Sequence, residues 1–488
     1  MSLLQQNILD VQRLLPEILL FGVFGVMLTA DQFLPRRRKK WIVTLGIAGL
    51  AVVGCRLVME GMTVARSGPV SLFGGMMVVD HFAIFFQWIF LVTTVVALLM
   101  AVRSDEIEKQ NEGEYYILTV AVCFGMFFLA ASTHLLMILL SFEMISIVSY
   151  VLAGYLRGDP RSSESGIKYV IYGAFTTGIM IYGMSLLYGL TGSLQIERIH
   201  DFLMTARTGV VPVTVILLMI SAGMLYKIAA VPFHMWSPDV YEGAPTAATA
   251  FFSVGPKAAG FAILIRFFLV TFGKDFQVDW RQIMAILSMA TMTIGNYTAL
   301  RQENVKRMLA YSSISHAGYL LMGMAVASPA GRSAILFYLL VYMVMNSGAF
   351  IVVLALENIL HDSDLAIYRG IGTRLPLPAV TMVIFLVSLA GLPPTAGFVG
   401  KFFLFKAVIA EKLYLLALVG IVNSLVALYY YMRVVKAMYM EQPEQALPQE
   451  MSVTPLYRFL LVLSAVPILY LGIFFETVYH ISAQVVFG

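Results

Sequence analysis

Residues 215–264 read VILLMISAGMLYKIAAVPFHMWSPDVYEGAPTAATAFFSVGPKAAGFAIL, and this stretch decides the fold of the chain. Two apolar runs flank a short polar segment, and each run carries one lysine far from its ends, Lys227 and Lys257. A charge at the centre of a membrane helix costs about 2.5–3.5 kcal/mol on insertion scales, so such residues are rare and usually functional. Pro232 and Gly255–Pro256 predict helix interruptions beside these lysines, and broken helices are typical of ion pathways.

The composition extends this interpretation to the whole chain. Apolar residues make up 60% of the 488 residues and charged residues only 12%, whereas ordinary soluble domains carry about 25% charged residues. We therefore predict an all-α polytopic membrane protein with about fourteen transmembrane helices in the lipid bilayer. The basic run Arg36–Lys40 should face the cytoplasm, which places both termini on the outer side. The net charge of +4 gives no support for nucleic-acid binding.

A weak internal repeat divides the chain. KIAAVPF at 227–233 resembles SLAGLPP at 388–394, and each ends an apolar run shortly before another buried lysine. The two segments fall in the seventh and twelfth predicted helices, which we therefore expect to be discontinuous. Their separation by five helices predicts two five-helix units, inverted in the membrane because five is odd. The predicted parts are listed in order: 1–110 with helices 1–3 and an external hairpin, 111–275 with the first unit, 276–440 with the second, and 441–488 with helix 14.

Glu143 and Lys227 form the first pair of candidate functional residues. Glu143 lies about ten residues from either end of its apolar run, where its side chain cannot reach water. A buried carboxylate needs a cation within roughly 4–6 Å, and Lys227 lies at a comparable depth. The alternative is a structural salt bridge. That alternative is weakened because apolar replacements of such pairs are often neutral or stabilising.

Lys257, Lys401 and His316 form a second group of candidates. Neither lysine has an obvious acidic partner in the apolar runs, and desolvation favours the uncharged form of a lysine. A lone helical histidine is more often a packing residue. His316, however, stands in a polar stripe together with Tyr311, Ser312, Ser313 and Ser315. Titratable groups joined by water inside a membrane indicate a proton relay, which we predict here.

Two secondary candidates lie closer to the ends of the predicted helices. Lys168 reaches water by snorkelling or takes part in the relay, whereas Lys406 is better explained by snorkelling alone. His234, in the loop PFHMWSPDVYEG, is either structural or a gate at the broken helix.

No cofactor-binding or metal-binding residues are expected within this chain. It contains neither a G-x-G-x-x-G motif after a strand nor a P-loop, so no nucleotide site is predicted. Cys55 and Cys123 lack the C-x-x-C spacing of a metal or cluster site.

Three segments carry a resemblance to a known family. They are KIAAVPFHMWSPDVYEGAPTAATAFFSVGPKAA at 227–259, NVKRMLAYSSISHAGYLLMG at 304–323 and SLAGLPPTAGFVGKFFLF at 388–405. Together they resemble the antiporter-like membrane subunits of respiratory complex I, which are homologous to Mrp cation/proton antiporter subunits. The resemblance is strongest from about residue 80 to 440. Lysine at 401, and a chain that ends soon after helix 14, favour the subunit N branch of the family or its Mrp relatives.

The resemblance implies a function and a set of functional residues. Glu143, Lys227, Lys257 and Lys401 match the family's charged residues on helices 5, 7, 8 and 12. The implied function is a non-redox, proton-translocating subunit of NADH:quinone oxidoreductase in a bacterial inner membrane. Its partners would be other complex I membrane-arm subunits, including neighbouring antiporter-like subunits. Flavin, iron–sulfur clusters and quinone would reside in partner subunits.

Two other functions stay open at this point. An Mrp-type cation/proton antiporter subunit shares the lysines and differs in its partners. A structural or assembly subunit would use the buried charges only to specify helix packing.

Overall fold

The computed structural model describes residues 10–35, 38–108, 111–206, 209–272, 276, 278–443, 448 and 451–485. Arg36 and Arg37 of the basic run, and both ends of the chain, lie outside these residues. The orientation assigned from them therefore stays a prediction.

The N-terminal region contains helices, a small hairpin and one short connecting helix: α1 (Leu15–Phe33), α2 (Lys40–Ser67), β1 (Val70–Leu72), β2 (Met77–Val79), α3 (His81–Ala101) and α4 (Asp105–Glu108). The two strands are antiparallel, with Val70 opposite Val79. This hairpin lies within residues 1–110, the part of the chain for which the sequence predicts one. A buried ion pair fixes its base, because Arg266 donates to Asp80 from both terminal nitrogens at 2.8 and 3.0 Å.

The next helices are α5 (Glu112–Ala131), α6 (Leu135–Ala153), α7 (Pro160–Thr191), α8 (Ile196–Thr205), α9 (Val210–Lys227), α10 (Trp236–Gly243) and α11 (Thr246–Thr271). The remainder of the chain forms α12 (Trp280–Ala299), α13 (Val305–Val326), α14 (Pro329–Leu360), a 3-10 turn (Leu365–Tyr368), α15 (Ile371–Arg374), α16 (Pro376–Ala390), α17 (Ala396–Ala410), α18 (Tyr414–Met440), α19 (Pro455–Ile473) and α20 (Glu476–Gln484).

The helices have the length and composition of a membrane bundle. Within the described residues, 11 helices are long and apolar enough to cross a membrane. By the same measure α12 and α13 are too polar, and α16 and α17 have 15 residues each. The polytopic all-α fold is confirmed, whereas the count of fourteen spans stays a prediction. Almost every residue of α11 is buried, so this helix forms the centre of the bundle.

The first predicted discontinuity is present between α9 and α10. The helix ends at Lys227, shortly before Pro232, and the chain resumes a helix at Trp236. A proline lacks the backbone donor and disfavours helical geometry in the residue before it. The carbonyl groups exposed at the end of α9 are satisfied locally. The Tyr226 carbonyl accepts from the Trp236 indole at 3.1 Å.

The second predicted discontinuity separates α16 from α17. Gly391 ends α16 with φ 86°, a conformation that favours glycine. A Cβ atom on Gly391 would lie 2.7 Å from Cδ of Lys401, so glycine also allows the lysine to pass close to the backbone. Pro393 and Pro394 prevent α16 from continuing, and α17 begins at Ala396.

A third predicted interruption is wrong. Gly255–Pro256 lies inside α11, which continues without a break from Thr246 to Thr271. Proline removes one backbone hydrogen bond from a helix. Packing on every side holds α11 together, because neighbouring helices stabilise membrane helices that contain proline.

Two groups of helices pack in the same pattern. The first group is α5, α6, α7, α9–α10 and α11, and the second is α12, α13, α14, α16–α17 and α18. In each group the third helix packs against both halves of the broken helix, and the fifth packs against the first. This correspondence supports the five-helix repeat. Its boundaries and its inverted orientation stay predictions.

The close approach at the second break gives a testable prediction. A Cβ atom on Gly397 would lie 1.9 Å from the Ser388 carbonyl oxygen, and backbone cannot yield as a side chain can. We expect Gly397→Ala to push α17 away from α16 and to lower the melting temperature of the purified protein. Gly178→Ala is the control, because nothing lies within 4 Å of its added Cβ. Equal melting temperatures for the two variants would contradict this account of the break.

Candidate functional site

The structure buries the central candidates. Lys227, Lys257, Lys401 and His316 are between 1 and 4% exposed. They lie on four different elements: the end of α9, the middle of α11, the first half of α17 and the middle of α13.

Lys227 ends the first half of the broken helix. Its amino group donates to the Ser146 hydroxyl at 2.8 Å and lies 4.8 Å from the centre of the Phe142 ring. Both contacts come from α6, the helix that carries Glu143. The Lys227 side chain therefore bridges the broken helix and the glutamate helix.

Glu143 interacts electrostatically with Lys227, although no direct ion pair joins the two within the described residues. One of its carboxylate oxygens is buried without a hydrogen-bond partner. Ser146, one turn further along α6, occupies the position that a direct ionic partner of Lys227 would take. The arrangement places a counter-charge within electrostatic range of Lys227 without a direct contact between the two.

Lys257 lies on α11 and contacts the polar stripe of α13. Its amino group donates to the Ser313 carbonyl at 2.8 Å and to the Ser313 hydroxyl. No carboxylate pairs with Lys257 within the described chain.

His316 is hydrogen bonded through both ring nitrogens. Nδ1 lies 2.7 Å from the Tyr338 hydroxyl, and Nε2 lies 3.2 Å from the Tyr431 hydroxyl. A neutral imidazole donates from one nitrogen and accepts at the other, and a tyrosine hydroxyl does both. His316 therefore has a proton donor or acceptor on each side. It also lies within electrostatic range of both Lys257 and Lys401.

Lys401 reaches back across the second break to the end of α16. Its amino group donates to the carbonyls of Leu389 and Ala390 at 3.1 and 3.0 Å. These carbonyls belong to the last turn of α16, where the helix dipole favours a cation. The same amino group lies 4.4 Å from the centre of the Tyr319 ring.

Hydroxyl groups lie beside the members of this row. The Ser312 hydroxyl lies 2.5 Å from the Tyr431 hydroxyl, which in turn contacts His316. At the other end, Ser424 donates to the Tyr319 hydroxyl at 3.0 Å and contacts Lys401 at 3.5 Å. The groups beside the row can therefore both donate and accept protons.

The secondary candidates have different surroundings. Lys168 forms ion pairs with Asp239 at 2.5 Å and with Glu164 at 2.6 Å, beside a pocket of 260 Å³. Arg307 also contacts Asp239, so Lys168 belongs to a partly exposed charge cluster and not to the buried row. His234 lies in the turn between α9 and α10, and its Nδ1 atom is buried without a hydrogen-bond partner.

Several residues of the row were not found from the sequence. Tyr319, Tyr338, Tyr431 and Ser424 lie in apolar helices and contact His316 or Lys401 from α13, α14 and α18. A polar residue inside an apolar run is a weak signal, and nothing in a single sequence indicates which distant helices meet. Among the described residues, no group of His, Cys, Asp or Glu has the geometry of a metal site.

Comparisons with known proteins agree on one family. The family profile described as "NADH:quinone oxidoreductase/Mrp antiporter, TM" matches residues 132–427. Two relatives share high identity over nearly their whole length. The "NADH-quinone oxidoreductase subunit N 2" of Chloroherpeton thalassium is 45% identical, covering 92% of this chain and 90% of the relative. The protein of the same name from Sorangium cellulosum is 43% identical over 98% of this chain and 97% of its own.

Solved structures show the same fold. A chain of respiratory complex I from Thermus thermophilus matches with a TM-score of 0.80 at 30% identity, over 96% of this chain and 100% of that one. A chain of the Mrp complex from Dietzia sp. matches with a TM-score of 0.82 at 22% identity, over 96% of both chains. At that identity the second match shows the fold alone. The chain belongs to the NADH:quinone oxidoreductase/Mrp antiporter family of membrane subunits, on its subunit N branch.

Proposed function

We propose that the chain translocates protons across the membrane as a subunit of NADH:quinone oxidoreductase. The observation that carries this proposal is the buried row of Lys257, His316 and Lys401. No carboxylate pairs with either lysine in the described part of the chain, and hydroxyl groups lie between the members. A buried lysine without a counter-charge gains and loses a proton readily, which a structural cation has no reason to do.

The contacts suggest the order of transfer. A proton on Lys257 reaches His316 through the serines of α13 and the Tyr431 hydroxyl. His316 accepts it at one ring nitrogen and releases another proton from the other nitrogen. Tyr338, Tyr319 and Ser424 surround the path from there to Lys401.

Glu143 and Lys227 act as the gate in this proposal. When the carboxylate lies near Lys227, it favours the charged amine, and that charge opposes a second proton on the row. When the two separate, Lys227 releases its proton more readily. The absence of a direct ion pair between them supports a pair that changes its separation.

Partner subunits supply the driving reaction. The chain acts as a non-redox subunit, and the flavin, the iron–sulfur clusters and the quinone are held by partners. We place it in a bacterial inner membrane with both termini on the outer side. Coupling between quinone reduction and the lysine row is then conformational and electrostatic, over a long range.

Lys401 offers a direct test with a matched control on the same helix. We expect Lys401→Ala to lower the initial rate of NADH-driven proton uptake into proteoliposomes by roughly 10²-fold, the lower end of the effect of a positioned proton donor. Lys406→Ala should pump like the wild type, because Lys406 is exposed on the same helix. Full proton uptake by assembled Lys401→Ala would refute the proposed role of the row.

The Mrp-type antiporter is the second candidate, supported by the close structural match to the Mrp chain. Purifying the tagged chain in mild detergent separates the two. Co-purification of flavin and iron–sulfur subunits with NADH-dependent activity supports the oxidoreductase. Small membrane partners without redox subunits, together with sodium-dependent proton exchange, would support the antiporter.

A further inference from the structure

A second group of charged residues surrounds the start of α11, the helix that carries Lys257. Thr246, the first residue of α11, donates its backbone N–H to Glu106 at 3.2 Å and its hydroxyl to Glu357. Lys306 lies 3.6 Å from Glu357 and donates to the Ala244 carbonyl at 3.0 Å. Two carboxylates therefore share one lysine and one helix N-terminus.

Two acids that share one cation do not both ionise easily. A like charge nearby favours the protonated form of a carboxyl group. Burial raises the pKa of the Glu106 carboxyl above its ordinary value; Lys306 opposes that rise and Glu357 adds to it. The Glu357 carboxylate therefore favours a proton on Glu106.

A buried hydroxyl lies beside the pair without a protein partner. The Tyr368 side chain is 0% exposed, its hydroxyl makes no hydrogen bond, and it interacts electrostatically with Glu357. Buried polar groups of this kind are normally completed by ordered water. Water at Tyr368 would give Glu357 a neighbour that can deliver or remove a proton.

A polar stripe leads from the pair toward Lys257 along two antiparallel helices. Thr246 of α11 meets Glu357 of α14 at one level. At the next polar level the Asn346 amide donates to the Ser253 hydroxyl at 2.6 Å. Ser253 follows Thr246 by about 10 Å of helix rise, and Lys257 follows Ser253 by one further turn. On α14 the Tyr342 hydroxyl lies one turn beyond Asn346.

Unsatisfied atoms mark the end of this stripe near Lys257. Oδ1 of Asn346 and the hydroxyl of Tyr342 are both buried without a hydrogen-bond partner. Between the two polar levels α14 carries Phe350, Val353 and Leu354, and α11 carries Ala250 beside Thr249. These mainly apolar turns separate the acidic pair from Lys257, so a proton held at the pair is not in permanent exchange with the lysine.

We propose that Glu106 and Glu357, bridged by Lys306, form a proton-loading site that supplies Lys257 along the Ser253–Asn346 stripe. This proposal rests on the proposed function and extends it to residues outside the lysine row. The site takes up a proton at the end of the bundle where α11 begins, stores it on the carboxyl pair, and releases it toward Lys257.

The charged and titratable groups that face the pair come from every element packed around it. Glu357 faces Lys306, Glu106 and Tyr368. Glu106 further interacts with Asp159, and Tyr115 and Tyr457 lie within electrostatic range of it. Apart from Lys306, these neighbours supply no cation to the pair. Replacing either glutamate leaves the other carboxylate alone with Lys306. The lysine then favours the ionised form of that carboxylate, and the site no longer holds a proton.

The test uses the assembled complex in proteoliposomes with Glu357→Gln, Glu106→Gln and the conservative Glu357→Asp. We expect both glutamine variants to pump close to the wild-type rate at pH 6 and to fall several-fold below it at pH 8, where protons are scarce. Glu357→Asp should restore most of the rate at pH 8. Glu114→Gln is the matched control, because Glu114 is a half-exposed carboxylate.

Infrared titration of the resting complex gives a readout that does not depend on pumping. The wild type should show a protonated carboxyl band that persists above the pH at which ordinary carboxyl groups ionise, and Glu106→Gln should lower its intensity. Glu106 lies in a connecting segment, so its variant tests the proposal even where Glu357→Gln does not assemble.

The outcomes separate this inference from the proposed function. Equal losses at pH 6 and pH 8, or no loss with an unchanged band, would overturn the loading site while Lys257→Ala still stops pumping. Normal pumping by Lys257→Ala would instead overturn the proposed function itself.

Discussion

Lys257→Ala is expected to assemble normally and to lose proton pumping. The initial rate of NADH-driven proton uptake should fall by roughly 10²-fold or more, as when a positioned proton donor or acceptor is removed. Assembly should survive because an unpaired lysine in a membrane helix is itself unfavourable by about 2.5–3.5 kcal/mol. Alanine removes this unfavourable free energy and fits a helix that is buried on every side.

Lys257→Arg distinguishes a proton carrier from a structural cation. Arginine keeps the positive charge and cannot be deprotonated in proteins. If Lys257 works by gaining and losing a proton, Lys257→Arg should fail to pump as completely as Lys257→Ala. Rescue by arginine would mean that the site needs only a fixed charge, and it would favour the structural-subunit interpretation. Proton uptake should be expressed per assembled complex, so that losses of assembly are not counted as losses of pumping.

Arg266→Met is expected to cause the largest loss of stability. Arg266 and Asp80 are each 1% exposed, and Arg266 also donates to the Ala130 carbonyl at 3.1 Å. Removing one partner of a buried ion pair costs about 3–5 kcal/mol, because the other charge stays buried without compensation. Heating the detergent-solubilised complex and following subunit dissociation measures this loss as a lower transition temperature.

The double variant Asp80→Asn/Arg266→Met is the control for this interpretation. Asparagine keeps the acceptor that caps α3, where the Ala83 N–H donates to the Asp80 side chain at 2.7 Å. With both charges gone, most of the stability should return, since uncharged replacements of buried pairs are often close to neutral. A double variant as unstable as Arg266→Met alone would show that the arginine acts through packing against Phe82 and not through the ion pair.

The sequence alone identified the lysines because a charge in an apolar run stands out against everything around it. Pro232 and Pro393–Pro394 marked both broken helices for a similar reason, since proline removes a backbone donor wherever it stands. The same rule failed at Pro256, where tight packing around α11 outweighs one missing hydrogen bond. The effect of a proline on a helix therefore depends on neighbours that a single sequence does not display.

Contacts between distant segments could not be predicted from the sequence, and the reason is physical. Tyr338 and Tyr431 belong to ordinary aromatic-rich helices, and only the fold brings their hydroxyl groups to His316. Glu106 and Glu357 lie near helix ends, where charges are usually solvated, and their shared lysine becomes visible only when α4, α13 and α14 meet. Composition indicates which residues are buried, whereas the packing of the helices determines which groups a buried residue contacts.

The position of Lys401 has a mechanical consequence. Its ammonium group holds the last carbonyls of α16 while its own backbone belongs to α17, so one side chain ties the two half-helices together. A neutral amine would hold those carbonyls less firmly than a charged one. On the proposed function, loss of the proton would therefore weaken the link between α16 and α17, and its return would strengthen it. A proton arriving at Lys401 would then also change how firmly the two half-helices hold together.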